Sequence, residues 1–156
     1  MVTVRPAVSA DARLLFEWRN DPATRAASLT QDEIGWPEHV AWFERSLESS
    51  TRCILLAVED DRSVGMVRFD ISPDDGSAEV SINLAPEVRG TGRSRAILDA
   101  GIAAFVEEHD VTVLTAQIRA ANVASARLFV STGFTPLTGD VDDEVDTYRR
   151  ELDLKP

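Results

Sequence analysis

The stretch Val88-Arg89-Gly90-Thr91-Gly92-Arg93-Ser94 lies between residues 78–84, which alternate polar and apolar, and residues 95–106, whose apolar positions recur at helical spacing. A strand that ends in a tight turn of small residues and runs straight into a helix leaves several backbone N–H groups unpaired. They converge on one concavity at the helix N-terminus, and such a concavity binds phosphate. Gly90 and Gly92 permit backbone conformations and close approaches that a side chain would block, and Arg89, Arg93 and Arg95 add positive charge. The same spacing also suits a plain β-to-α turn that needs glycine for geometry alone. The three arginines favour the anion.

Just before this turn, Val80, Ile82 and Leu84 fall on one face of a strand and Glu79, Ser81 and Asn83 on the other. A polar row on a central strand predicts a wet groove. Further upstream, strands over 53–58 and 64–71 are joined by the hairpin signal Glu59-Asp60-Asp61-Arg62-Ser63, and Pro73-Asp74-Asp75-Gly76 turns the chain into 78–84. This is an antiparallel meander. The chain opens with an edge strand over 2–5, stopped by Pro6, and a helix over 10–20 with Ser9 as N-cap and Asp21-Pro22 as its stop. Residues 23–35 show no clear period and read as a loop with room for a short helical turn, and Pro37 opens a helix over 37–47.

After the turn, the helix over 95–106 buries Ile97, Leu98, Ile102, Phe105 and Val106. A strand over 111–118, a helix over 122–131, a strand over 134–137 and a last strand over 146–152 follow. An antiparallel front half joined to a βαβ unit predicts an α/β fold with a mixed sheet of about seven strands and about four helices, in one domain spanning 1–156. Ligands of such sheets bind in the crevice at the carboxyl ends of the strands, where the glycine turn lies.

Composition narrows the function. The 44% hydrophobic content and 156-residue length support a real core. A net charge of −11 disfavours nucleic acid as a partner. No run approaches the roughly 20 apolar residues of a membrane span, and the first residues do not read as a secretory signal, so a cytoplasmic location is expected. The single cysteine, Cys53, sits in an apolar run and reads as a buried strand residue, and with only His39 and His109 a metal site is not expected.

With these elements in order, the chain resembles the GCN5-related N-acetyltransferase (GNAT) family, over nearly its whole length. The family's main signature, Arg or Gln, two residues, Gly, one residue, then Gly or Ala, is met by Arg89 and Gly92, with Ser94 as a small-residue departure. A second signature begins about 30 residues after the glycine turn: Asn122 opening a helix, Ser125, Phe129, then Gly133-Phe134. Taken alone, that second stretch also describes a helix, a glycine stop and a core phenylalanine.

The resemblance implies a V-shaped cleft between the strand holding Glu79 to Leu84 and the strand after the glycine-turn helix. It implies acetyl-coenzyme A as cosubstrate, with no metal. The coenzyme would be held by Leu84, Arg89, Gly90, Thr91, Gly92, Arg93, Ser94, Asn122, Ser125 and Phe129, its pantetheine arm pairing like an extra strand. The family's usual tyrosine, which protonates the departing thiolate, is replaced by Phe129. That leaves unaided departure, a water held by Ser125, or another group, and Tyr148, the one tyrosine, reads as structural.

Acetyl transfer needs a deprotonated amine, and a carboxylate is the usual acceptor of its proton. Glu79 is the candidate base; its alternative is a solvated or paired strand residue. Arg13, Trp18, Arg19, Asn20, Arg25, Trp36, Glu38, His39 and Trp42 form a polar and aromatic front half, with His39 as a second candidate proton acceptor and core packing as the alternative. The wording Trp-Arg-Asn-Asp-Pro followed by Glu-His-x-x-Trp-Phe resembles family members that acetylate 4-amino sugar nucleotides. The expected partner is a small-molecule amine, with another small amine or a protein N-terminus as the alternative, for a monomer or homodimer. An acyl-coenzyme A-binding module that has lost its chemistry is the reading of a different class.

Overall fold

A computed structural model describes residues 1–137 and 144–153. Its strands are β1 (Thr3–Pro6), β2 (Arg52–Glu59), β3 (Arg62–Ser72), β4 (Ser77–Leu84), β5 (Val113–Arg119), β6 (Thr135–Pro136) and β7 (Val145–Glu151). Its helices are α1 (Ala12–Asn20), α2 (Pro22–Ala27), α3 (Trp36–Glu48), α4 (Ser94–Glu108) and α5 (Val123–Ser131). The seven strands form one sheet in the order β1-β2-β3-β4-β5-β7-β6. The expected mixed α/β sheet is present.

The front half is the expected meander. Asp60 and Asp61 both take positive φ, 52° and 63°, the twist that closes a two-residue hairpin between Glu59 and Arg62. One face of the meander is apolar, and α4 lies on it. Phe69 of β3 and Phe105 of α4 stack with ring centroids 4.0 Å apart, and Gly101 lets the helix backbone approach Val67. A Cβ at Gly101 would stand 2.8 Å from Val67 Cγ2, so the helix sits as close as it does because no side chain intervenes. On the opposite face, β2, β3 and β4 carry Arg52, Arg68, Asp70, Glu79, Ser81 and Asn83, and Trp42 of α3, Arg19 of α1 and Thr24 of α2 reach this polar side.

One local expectation is corrected and one is made definite. Ser9 does not cap α1; its hydroxyl turns to Glu44 at 3.4 Å, and residues 9–11 form a 3-10 turn. Asp11 closes that turn by accepting from Val8 N at 2.8 Å and pairs with Arg5 of β1 at 2.9 Å. In the segment beginning at Asp21-Pro22, the short helical turn for which the loop reading left room is present as α2. Asp21 accepts from Ala23 N and Thr24 N, and Pro22 fills the first helical position with a residue that has no N–H to satisfy, so the pair ends α1 and starts α2. Among the described residues the α-helices therefore number five.

Candidate active site

The sheet is built to open. β4 and β5 run parallel, but their register covers only Ser77↔Val113, Ala78↔Leu114 and Glu79↔Thr115, while β4 continues to Leu84 and β5 to Arg119. From Val80 onward the two strands part, which is the expected V-shaped cleft, with Glu79 at its vertex. Alternate residues of an antiparallel ladder face away from their partner strand. Because Ala85 N donates to Val64 O on the β3 side at 3.0 Å, the amides of Val80, Ile82 and Leu84 face the cleft. An extended ligand arm can pair with that row as an added strand.

At the wide end of the V lies the glycine turn. Gly90 and Gly92 adopt φ of 74° and 80°, and a Cβ on either would meet no protein atom within 4 Å. Glycine is required here by backbone conformation, while the concavity above it is open. Thr91 N donates to Val88 O at 3.2 Å, and the N-terminus of α4 has no side-chain cap. The first turn of α4 therefore presents uncapped N–H groups, which fit a pyrophosphate. Ser94, half-buried, is the first helical residue and does not cap the helix.

The arginines behave differently from the sequence expectation of a free cationic rim. Arg89 pairs with Asp21 at 2.6 Å and also donates to Thr24 Oγ1. Arg93 pairs with Glu59 at 2.5 Å, and Arg95 with Asp99 at 3.7 Å. Each lies beside an acid, and the unpaired groups open to an anion at the turn are those of the backbone. Arg89 instead fastens the turn to the α1–α2 junction, and Thr24 in turn reaches Asn83 Oδ1 at 3.5 Å, which joins the turn to the polar row of β4.

Glu79 is half-buried and stands directly across from Asp70. Burial, and then the like charge of Asp70, push its pKa above the ordinary carboxylate value, against an opposing pull from Arg68. A carboxyl held this way is a stronger proton acceptor once ionised than an exposed glutamate.

His39 is placed elsewhere. Its ring is 1% exposed, packed among Phe16, Trp36, Trp42 and Phe43, and its Nε2 lies 2.9 Å from Ala12 O. Burial lowers its pKa. This is the site of a neutral packing residue. Trp18 is likewise in the core, and Asn20 pins the loop before α3 by donating to Ile34 O at 2.8 Å and accepting from Ile34 N at 2.9 Å. Of the front-half residues, Arg19 and Trp42 lie at the polar face beside Arg68 and Arg52, and Glu38 is near enough to Arg19 to favour its charge. Arg68 and Asp70 were missed, although Val67-Arg68-Phe69-Asp70-Ile71 alternates as plainly as β4 does.

Across the cleft, Asn122 caps α5 by accepting from Ser125 N at 3.1 Å, and Ser125 is half-buried one turn before Phe129. Phe129 is 2% exposed and meets Phe134 edge-on at 5.0 Å. Tyr148 is buried on β7, opposite Ala116. Burial pushes the Cys53 thiol up, away from nucleophilic use.

Among solved structures, a spermidine N-acetyltransferase from Vibrio cholerae, in complex with CoA and spermine, superposes with a TM-score of 0.88 at 16% identity, over 96% of this chain and 95% of that one. The aminoglycoside acetyltransferase AAC(6')-Ib, in complex with coenzyme A and kanamycin, gives 0.82 at 15% identity over 97% and 95%. A domain from Methanocaldococcus jannaschii gives 0.80 at 21% identity over 97% and 99%. At these identities the likeness establishes the fold. No curated protein sequence matches the chain. The family model described as an acetyltransferase (GNAT) domain matches residues 2–135, and with the splayed strands and uncapped glycine turn in place, the chain belongs to that family of acyl-CoA-dependent N-acetyltransferases.

Proposed function

We propose that the protein transfers an acetyl group from acetyl-CoA to the primary amine of a small molecule, with Glu79 as the general base. The observation that carries this reading is the position of Glu79. It is the last residue of β4 in register with β5, so it stands where a thioester paired along Val80 to Leu84 would end. The pyrophosphate is held by the backbone of Gly90 to Ser94 and the first turn of α4, and Leu84 lies along the pantetheine arm. Asn122, Ser125 and Phe129 form the wall on the α5 side.

In the transfer, Glu79 accepts the ammonium proton directly or through a water, freeing the nitrogen lone pair for attack on the thioester carbonyl. An outward amide of β4 donates to the carbonyl oxygen as its charge grows. Attack forms the C–N bond and a tetrahedral intermediate; as its C–S bond breaks, the nitrogen gives up its second proton to a water held by Ser125, which passes one proton to the departing thiolate, since Phe129 has none to give, and Glu79 returns its proton to solvent.

The sharper form of the proposal names the amine of an amino sugar nucleotide, on the resemblance of the front half and on the presence of Trp42 with arginines around it. Spermine and aminoglycosides, bound by the superposed structures, are the competing acceptor types. The test is acetyl-CoA turnover, read as free thiol, with an amine panel containing a 4-amino sugar nucleotide, spermidine, kanamycin and a peptide N-terminus. Acceptor-dependent thiol release supports the transferase. Acetyl-CoA binding with no release from any amine favours the binding-module alternative and defeats the proposal.

A further inference from the structure

Three guanidinium groups from three elements converge on one indole. The Cζ atoms of Arg19 at the end of α1, Arg52 of β2 and Arg68 of β3 lie 5.1, 5.5 and 5.6 Å from the ring of Trp42. Asp70 serves two of them, at 2.6 Å from Arg52 Nε and 3.1 Å from Arg68 Nε. Arg52 also donates to Ser46 Oγ at 3.1 Å, so its fork is committed to the protein. Arg19 has no ion pair among the described residues, and its Nη1 is buried with no hydrogen-bond partner.

A buried guanidinium donor with nothing to donate to is expensive, because it loses water and gains no partner. Arg19 is held there by the Trp42 face and by the end of α1. Burial and repulsion from Arg68 both disfavour its charge, and Glu38 opposes them from outside ion-pair distance. Asp70 is the one carboxylate in ion-pair contact with this group among the described residues, Glu38 and Glu79 act on it from farther off, and the orphaned Arg19 donor is left open to a further acceptor.

The register places this group beside the proposed base. Asp70 is directly across from Glu79, and Arg68 directly across from Ser81, so Arg68 is one diagonal step from Glu79. Cross-strand diagonal neighbours are about 7–8 Å apart, within the span of a small bifunctional molecule. We propose that Arg19 and Arg68, backed by the face of Trp42, form an oxyanion subsite of the acceptor pocket, so that the acceptor is an amine that also carries a carboxylate or phosphate. This rests on the N-acetyltransferase reading above. A polyamine would set a second ammonium against two guanidiniums, and like charges at that range repel. The planar guanidinium fork suits carboxylate and phosphate alike.

The test compares kcat/KM for four acceptors: 4-aminobutyrate, 3-aminopropyl phosphate, butylamine and spermidine, each with saturating acetyl-CoA. The expected result is a preference of about tenfold or more for at least one anionic amine over both butylamine and spermidine, the size of one charge-assisted contact. The better of the two anionic amines identifies the oxyanion. Arg19→Gln and Arg68→Gln are each expected to lower the ratio of kcat/KM for that amine over butylamine by about tenfold, through KM. Arg19→Lys, which keeps the charge, should retain more of the ratio. A preference for spermidine, or a ratio unmoved by both glutamine variants, overturns the subsite and leaves the transferase standing. Bound acetyl-CoA with no thiol release from these four amines or from the panel above, the 4-amino sugar nucleotide included, removes the transferase reading and the subsite with it.

Discussion

Glu79 is asked to be both ionised for catalysis and half-buried beside Asp70, and these demands conflict in a way that can be measured. Because its pKa is raised in the folded chain, the alkaline-rising limb of kcat/KM should lie above the ordinary carboxylate range, with Glu79→Gln flattening that limb and lowering kcat/KM by roughly 10²-fold or more. The linkage has the opposite sign for stability. A carboxyl with a raised folded-state pKa contributes stability below its unfolded pKa, and that contribution is lost as pH rises through the folded pKa. Glu79→Gln should therefore raise Tm at neutral pH while it reduces turnover, and a variant that lowers Tm there shows that the charged carboxylate is held by favourable contacts. Ser125 makes a second residue-level case. With Phe129 buried against Phe134 and carrying no hydroxyl, Ser125→Ala is expected to lower kcat about tenfold. An unchanged kcat would remove the Ser125-held water and leave unaided departure or another donor.

The position of α4 relative to the sheet decides where the glycine turn points, and Gly101 sets that position. Replacing it with alanine improves intrinsic helix propensity by about 1 kcal/mol but drives a Cβ to within 2.8 Å of Val67 Cγ2 and 2.9 Å of Val67 Cβ. Overpacking of this kind costs about 1–3 kcal/mol, so Gly101→Ala should be net destabilising, and adding Val67→Ala should recover part of the loss. A stabilised single variant would show that the helix shifts freely on the sheet. Asp21 does comparable work at the other end of the site, capping α2 and pairing with Arg89, whose guanidinium holds its carboxyl below the usual range. The stability Asp21 supplies is present above its unfolded pKa and lost as pH falls through the folded one. Asp21→Ala should lower Tm more than Asp21→Asn, because asparagine keeps the cap and loses only the charge. α2 was hard to read beforehand because its six residues are too few to show a period and Pro22 signals a stop as well as a start. The long elements were legible because burial imposes a period on them: Ile97, Leu98, Ile102 and Phe105 announce α4, and Val80, Ile82 and Leu84 announce β4.

At the scale of the whole molecule, the division into an antiparallel meander and a βαβ unit was readable from element order alone. Side-chain roles within the site were not, because pairing across the sheet is a property of register. Arg89, Arg93 and Arg95 read as a cationic rim, yet their partners Asp21 and Glu59 are 68 and 34 residues away in sequence, and only Asp99 is local. His39 read as a proton acceptor because no period distinguishes a buried imidazole from an exposed one. This pairing has a consequence for how acetyl-CoA arrives. With the rim arginines matched by acids, the local excess of positive charge is small, and a chain of net charge −11 presents a long-range negative field to a ligand that is itself anionic. Screening should then help binding. Between about 10 mM and 150 mM ionic strength the Debye length falls from about 30 Å to about 8 Å, so the association rate of acetyl-CoA, followed by stopped flow, should rise several-fold across that range. Dissociation, governed by short-range contacts with the backbone of the glycine turn, should change little. An association rate that falls with added salt would mean that the arginines steer the coenzyme despite their ion pairs, and Arg93→Gln would then be expected to remove the salt dependence.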